Sequence, residues 1–379
     1  MTKVKIPDGW QETKLGKLLT IRNGKDHKDL KDGKYPVLGT GGVIRYVNSY
    51  LYDQPSILIG RKGTIDKPQF ITSPFWTVDT LFYSEISPDV VPFFLFLVVQ
   101  SVKWQQYNQA TGVPSLTGTI INNVKVCIPS SKNEQKKIAE ILGTCDRTLE
   151  LTEKLITAKR KLKQGLMQKL LTGKLRFPEF EGQKWIRKKI GSFADVTAGG
   201  TPSTTEKSYW DGNIRWMNSG ELNLKRVYEV SGRITQEGLK NSSTKLIPAN
   251  CVLIGLAGQG KTRGTVAVNL VELCTNQSIA AILPNKKFSY WFLYHNLEYR
   301  YEELRSLSTG EGGRGGLNLG IIKRVEIDFP SLSEQEKIAS CLNKLDDEID
   351  ILAKKKELLM KQKKGLMQKL LTGKIRVNK

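Results

Sequence analysis

Apolar side chains recur in alternating steps of four and three along two stretches of the chain. Counted from Ile138, the first runs through Leu142, Cys145, Leu149, Thr152, Ile156, Lys159, Lys163, Leu166 and Leu170. The second runs from Ile338 through Leu342, Leu345, Ile349, Leu352, Lys356, Leu359, Lys363, Leu366 and Leu370. A mean spacing of about 3.5 residues keeps such positions on one face of a helix and predicts a coiled-coil seam in each stretch, broken by lysines towards its end. A helix from Glu134 to Leu171 would be about 55 to 60 Å long at about 1.5 Å per residue. Ser331 or Ser333 offers an N-cap for the second helix, and Gly173 and Gly373 stand where a C-terminal stop belongs.

Elsewhere the period shortens to two. Short β-rich runs between Gly, Asn and Asp turns (YPVL, GVIRYV and SILIG, then NIRWM, CVLIG and GTVAV) predict strands on either side of the first long helix. Each strand-rich segment contains one aromatic-rich helix, Phe93 to Tyr107 and Tyr290 to Leu304. Each then passes a turn (Ala110-Thr111-Gly112; Ser308-Thr309-Gly310) and a β-branched strand, Ile120 to Ile128 and Ile321 to Phe329, and reaches Pro129/Ser130 or Pro330/Ser331 before the long helix.

The two halves are copies. GLMQKLLTGK from Gly165 to Lys174 returns letter for letter from Gly365 to Lys374, and Glu134, Gln135, Lys137, Ile138 and Ala139 return as Glu334, Gln335, Lys337, Ile338 and Ala339. Trp10 with TKLG opens the first half and Trp185 with KKIG the second. The order is globule (1–130), helix (131–175), globule (176–330), helix (331–379), and it is circular: joining LTGKIRVNK to MTKVKIPDGW would mimic LTGKLRFPEFEGQKW in the middle. The expected fold is α+β, with two β-rich globules joined by two long antiparallel coiled-coil helices in a pseudo-two-fold repeat.

Composition adds a partner class. With 379 residues, 39% of them hydrophobic, the chain can bury two or three domain cores. A formal net charge of +22 favours polyanions, nucleic acid first. Cys127, Cys145, Cys251, Cys274 and Cys341 include no close pair, so neither a disulfide framework nor a zinc ribbon is readable. MTKVKIPDGW has no signal-type apolar run, and Val90 to Val99, with Pro92 inside, is far too short to span a bilayer. A reducing cytoplasm without membrane contact is expected.

Catalytic motifs match poorly. Gly255 to Thr262, GLAGQGKT, fits the P-loop pattern, but the pattern cradles phosphate only where a helix begins at the lysine. Here Arg263-Gly264-Thr265-Val266-Ala267-Val268 reads as turn and strand, like Arg61 to Ile65 after ILIG in the first half. Ser73-Pro74-Phe75-Trp76 lacks the Asn an adenine methyltransferase loop needs. Pro7-Asp8 with Glu12-Thr13-Lys14 is too compressed for a nuclease metal site. His27 and His295 lie in different globules, which disfavours a His-based metal cluster or acid–base pair. No catalytic or metal-binding residue is assigned, and the aromatics of the two short helices read as core.

Side chains suited to base edges cluster in polar, Gly-rich turns. In the first globule these are Thr40, Arg61, Lys62 and Thr64; in the second, Thr201, Ser203, Asn218, Ser219, Gln259, Lys261, Arg263 and Arg314. Arg suits guanine and Asn or Gln suits adenine in the major groove, while phosphate contacts supply affinity. Lysines near the helix ends, among them Lys159, Lys161, Lys354, Lys355 and Lys361, exceed what the helix dipole explains. A structural adaptor with two partner-binding globules on a coiled-coil strut, or an ATPase at Gly255 to Thr262, remains as an alternative.

The helix entries Glu134 to Ala139 and Glu334 to Ala339, the GLMQKLLTGK ends, SILIGRKGTI at Ser56 to Ile65, Asp79 to Tyr83, GGTPS at Gly199 to Ser203 and YWDGNIRWMNSGEL from Tyr209 to Leu222 together carry a resemblance over essentially the whole chain. The sequence resembles the specificity subunit of type I restriction-modification systems. The resemblance implies two target-recognition domains, each reading one half of a split, asymmetric double-stranded DNA site, and helices that fix the gap and dock two methyltransferase (M) subunits. Restriction (R) subunits would join for cleavage. S-adenosylmethionine on the M subunits and ATP with Mg on the R subunits would supply the chemistry, with no cofactor on this chain.

Overall fold

A computed structural model describes residues 6–258, 261–308 and 316–377. The chain divides into two compact units. Unit 1 comprises Met1–Glu153 with Lys354–Lys379, and unit 2 comprises Lys154–Ala353. Two continuous helices, Lys132–Leu170 and Leu332–Leu370, each begin in one unit and end in the other. Gln135 and Gln335, one turn into the helices, lie beside Ser131 and Ser331, whose hydroxyls accept from the amides of Glu134 and Glu334 at 3.5 and 3.4 Å. Of the two serines expected as caps, Ser331 is therefore the one used. At the far ends Gly173 (φ +70°) and Gly373 (φ +66°) take the left-handed conformation, and the amides of Leu175 and Ile375 return to the carbonyls of Lys169 and Lys369.

Among the described residues, unit 1 holds three sheets. Trp10–Lys14 pairs antiparallel with Lys125–Pro129. Leu19–Arg22, Leu81–Ile86, Ser56–Gly60 and Gln69–Ile71 form an antiparallel sheet in that order, and Asp32–Gly39 lies between Gly42–Val47 (antiparallel) and Trp76–Thr77 (parallel). The helix Pro92–Ser101, started by a proline whose missing N–H costs nothing there, buries Phe94, Leu95, Leu97 and Val98 against Ile57 and Ile59. Ile138 and Leu142 of the first long helix and Leu370 and Leu371 of the second complete the same core.

Unit 2 repeats the plan with additions. Ile186–Lys189 pairs with Glu326–Phe329, and the strand Trp210–Met217 lies between Gly232–Ile234 (antiparallel) and Leu273–Thr275 (parallel), as Asp32–Gly39 does in unit 1. A five-stranded sheet runs Val196–Ala198, Ile279–Ile282, Val252–Gly255, Val266–Asn269, Arg226–Val227. Its core takes in Met167, Leu170 and Leu171 from the end of the first long helix and Ile338 and Leu342 from the start of the second.

Two expectations need correction. Ile120 to Ile128 and Ile321 to Phe329 are not single strands. Each opens with a short helix, Gly118–Asn123 and Leu319–Arg324, before the strands Lys125–Pro129 and Glu326–Phe329. The cause is N-capping: Thr117 accepts from the Ile120 amide at 3.2 Å and Asn318 from the Ile321 amide at 2.9 Å, and these caps outweigh the β-branched composition. The aromatic helices are also shorter than expected. Pro92–Ser101 is followed by a separate 3₁₀ turn, Trp104–Tyr107, and Tyr290–Tyr299 breaks at Arg300 before Tyr301–Ser306.

The seam positions are buried or half-buried throughout. Ile138, Leu142, Leu170, Ile338, Leu342, Leu345, Ile349 and Leu370 are buried; Leu149, Leu166, Leu352 and Leu366 are half-buried. The lysines that interrupt the pattern face acids on the other long helix. In unit 1 Lys363 meets Asp146 and Lys356 meets Glu153; in unit 2 Lys163 meets Asp346 at 2.7 Å and Lys159 meets Glu348 at 2.7 Å. Within each unit the partner's number falls as the first rises, so the helix portions run antiparallel.

The junctions between helix and globule are also copies. In unit 2 Arg176 makes a two-pronged contact with Glu334 (2.9 and 2.6 Å), lies over the Trp185 ring and reaches the Gln183 carbonyl. In unit 1 Arg376 does the same with Glu134 (2.7 and 2.8 Å), the Trp10 ring and the Asp8 carbonyl. The unit 1 junction therefore brings Arg376 together with Asp8, Trp10 and Glu134, residues far apart in sequence.

Candidate nucleic-acid interface

In unit 1 the strand Ser56–Gly60 ends in the turn that carries Arg61, Lys62 and Thr64. Gly60 is needed there, because a Cβ on it would stand 2.2 Å from the Thr64 carbonyl oxygen. Neighbouring backbone holds the turn: the Arg61 amide donates to Thr80 O (2.9 Å), the Gly63 amide to Pro114 O (2.8 Å), and Arg61 O accepts from Leu116 N (2.9 Å). With these backbone groups satisfied, the exposed Arg61 and Lys62 side chains project from a fixed base; Arg61 also lies 5.9 Å from the Phe82 ring centroid. Thr40, at the tip of the Asp32–Gly39/Gly42–Val47 hairpin, comes beside this turn, 3.8 Å from where a Cβ on Gly63 would be. All four unit 1 candidates thus share one neighbourhood, with Thr64 half-buried.

Unit 2 spreads its candidates. Gly255 repeats the role of Gly60, its Cβ position 2.2 Å from the Thr262 carbonyl oxygen, and the Gly264 amide donates to Gly255 O at 2.9 Å. Residues 261–265 form a turn leading into the strand Val266–Asn269, so no helix amides follow Lys261 to cradle a phosphate, and the P-loop reading fails on geometry. Lys261 is exposed and borders a cavity of about 690 Å³ together with Lys225, Glu298, Tyr301 and Arg305, whereas Arg263 is only 9% exposed. Thr201 and Ser203 are exposed; the Thr201 hydroxyl donates to Gln277 Oε1 (2.6 Å) and Ser203 shares a hydrogen bond with Thr205 (2.8 Å). Asn218 is already engaged: its Oδ1 accepts from the Gly220 amide (2.9 Å) and its amide donates to Glu221 (3.0 Å), a capping box that starts the 3₁₀ turn Ser219–Leu224. Ser219 is half-buried in that turn. Gln259 and Arg314 lie outside the described residues.

Some basic groups are neutralised locally. Glu229 accepts from its neighbour Val230's amide and from Arg215 and Arg233, which together hold its carboxyl down at about 2, so those arginines are tied to an anion already present. One exposed feature has no counterpart among the sequence candidates: Val43, Ile44 and Tyr46 stand out on the hairpin strand Gly42–Val47. Its signal is a run with apolar residues on both faces, and period-two reading credits only one. Among the described residues no group of three His, Cys, Asp or Glu side chains is placed to hold a metal, and no helix is long and apolar enough to cross a membrane.

The family model for the type I restriction modification DNA specificity domain matches residues 7–158 and 182–361. The chain belongs to that family. The specificity subunit is 24% identical over 412 residues to the type I restriction enzyme MjaVIII specificity subunit of Methanocaldococcus jannaschii, covering all of this chain and 95% of that one. It is 28% identical over 229 residues to the type I restriction enzyme EcoR124I/EcoR124II specificity subunit of Escherichia coli, covering 59% of this chain and 55% of that one. Its fold matches a crystal structure of the type I S subunit from M. genitalium with a TM-score of 0.70, at 17% identity, over 97% of this chain and 98% of that one. DNA recognition within a type I complex with M and R subunits is accordingly its role, and it is the non-catalytic component.

Proposed function

We propose that the specificity subunit reads a bipartite, asymmetric DNA site, one half per globule, and positions adenine methyltransferase subunits on it. The carrying observation is duplication with selective difference. The Arg–Glu–Trp junctions, the Gly60 and Gly255 turns and the helix ends repeat, while the surfaces around them do not. Between equivalent strands unit 1 has only Thr40 and Gly41; unit 2 has Asn218 to Ser231. A shared frame with unlike surfaces suits two unlike half-sites, with residues 1–130 and 176–330 as the recognition domains and 131–175 and 331–379 as the spacer helices.

The spacer helices also leave apolar side chains in the open. Leu151, Leu155 and Leu162 on the first and Ile351 and Leu358 on the second are 44 to 65% exposed. Leu151 and Ile351 are equivalent in the repeat, which suits two copies of one partner, the M subunits. S-adenosylmethionine would sit on those subunits and ATP with Mg on the R subunits.

The test is methylation mapping and gel shift with the M partner on a duplex library. Adenine methylation confined to two fixed half-sites across a fixed gap is expected; weak, sequence-independent binding would overturn the reading and leave the adaptor alternative.

A further inference from the structure

The residues 218–231, which replace the Thr40–Gly41 turn, do more than extend the surface of unit 2. Leu222, Val227 and Val230 are buried, and Arg226–Val227 joins the edge of the five-stranded sheet alongside Val268 and Asn269. Just before it, Lys225 is held at φ +63° and ψ −54°, a conformation rare for a residue with a side chain; strain of this kind persists where the surroundings enforce it. The Val268 amide donates to its carbonyl at 2.8 Å, and its ammonium stands 3.4 Å from Glu298.

This backbone delivers Arg226 into the helices. Its guanidinium donates to Asp347 and, at 3.2 Å, to the Asn343 carbonyl and side-chain oxygens, with Asp346 at 3.7 Å, all on the second long helix. It also lies 5.1 Å from the Trp291 ring centroid on the helix Tyr290–Tyr299. From that helix the buried His295 meets Asn343 at 3.0 Å and Glu298 meets Lys163 of the first long helix at 3.0 Å. Directional, charge-assisted contacts thus tie the globule to both of its helix ends.

Unit 1 lacks this arrangement at equivalent positions. The two short helices start alike, with the Val91 amide on Gln135 Oε1 (2.9 Å) and the Ser289 amide on Gln335 Oε1 (3.0 Å). Six residues on, His295 is replaced by the buried Leu97; Glu298 corresponds to the exposed Gln100, and Asn343 to Gly143, where a Cβ would come within 3.1 Å of the Phe93 ring. Lys363 still meets Asp146, as Lys163 meets Asp346, but where His295 and Glu298 join that pair in unit 2, unit 1 has the uncharged Leu97 and Gln100. Apolar packing is non-directional, whereas an arginine fork fixes both distance and angle.

We propose that Arg226 is a positioning residue: it fixes the angle at which the 176–330 globule sits on its helix ends, and thereby how strictly the subunit measures the gap between its half-sites. The inference rests on the bipartite reading above. An arginine that is itself mostly buried, forked between an exposed carboxylate and a helix carbonyl, is better suited to fixing geometry than to adding stability.

The test uses the subunit assembled with its M partner and a duplex library with both half-sites held fixed and gaps varied by one and two base pairs around the preferred length. Arg226→Met keeps an apolar stem over Trp291 and removes the fork; Asp347→Asn, at an exposed partner, weakens the fork with little risk to folding. Both should raise adenine methylation at gaps one base pair off the preferred length by about tenfold relative to that length, with half-site sequences unchanged. Arg226→Lys should fall between them and the native protein. A gap profile as sharp as the native one in Asp347→Asn and in any folded Arg226 variant overturns the proposal, and so does a change of half-site at a constant gap, which would make Arg226 a reader. A native protein without any gap preference would instead overturn the bipartite reading itself.

Discussion

Glu298 shows how a single carboxylate is kept charged inside unit 2. Burial pushes its pKa up, but His295, Lys163 and Lys225 around it outweigh burial and hold it well below the usual carboxylate range. Burial likewise disfavours the Lys163 ammonium, and Glu298 and Asp346 reverse that and raise its pKa. A depressed carboxylate contributes stability that is complete above its unfolded value of about 4.3 and is lost as pH falls through its lower folded value. Thermal melts should therefore hold steady from about pH 7 down to about pH 5 with respect to this group and fall below about pH 4.3, and Glu298→Gln should flatten that acid limb while lowering the neutral-pH melting temperature. Apolar residues behave more simply: Leu142→Ala and Leu342→Ala, each fully buried at a repeat-equivalent position, should each cost about 2 to 5 kcal/mol in denaturant unfolding. At this scale the sequence was legible where a residue's role follows from periodicity, as for these leucines. It was not legible where tertiary neighbours decide. The three-residue spacing of Asn218 and Glu221 is itself a capping-box signal that marks the Asn218 side chain as engaged, whereas nothing local announces that Arg263 is buried beside an exposed Lys261.

The long helices were readable as elements because the heptad pattern survives substitution. The lysines at Lys159, Lys163, Lys356 and Lys363 looked like breaks in the seam; they keep their places because an acid faces each one. The short helices at Gly118–Asn123 and Leu319–Arg324 are hidden in the sequence by their Ile-Ile pairs, which favour strand, and each depends on one capping side chain, Thr117 or Asn318. The exposed apolar positions on the long helices give this scale its prediction. Leu155→Asp with Leu162→Asp, and separately Ile351→Asp with Leu358→Asp, should weaken M-subunit binding by about tenfold or more in titration calorimetry while leaving the melting temperature of the isolated subunit nearly unchanged. Equal weakening of both binding events by one pair of changes would contradict separate docking on the two helices.

For the whole molecule, the proposed spacing role turns helix length into DNA length. Deleting a facing heptad from each long helix removes about 10 Å of helix, which is about three base pairs at 3.4 Å each. Methylation mapping should then give the same half-sites with a gap about three base pairs shorter; altered half-sites at an unchanged gap would refute the assignment.

The sharing of helices between units also sets an order of maturation during synthesis. Residues 10–142 of unit 1 leave the ribosome before unit 2, yet Leu366, Met367, Leu370 and Leu371, which the same core takes in, follow unit 2, and the Arg376 contact with Glu134 comes later still. Unit 2 has all of its chain in hand once Ala353 has emerged. The unit 1 globule is thus made before unit 2 and completed after it, and its apolar surface awaits residues 366–371. A chain ending before Gly365 should accordingly lose protease protection in the N-terminal globule first, while residues 176–330 stay resistant.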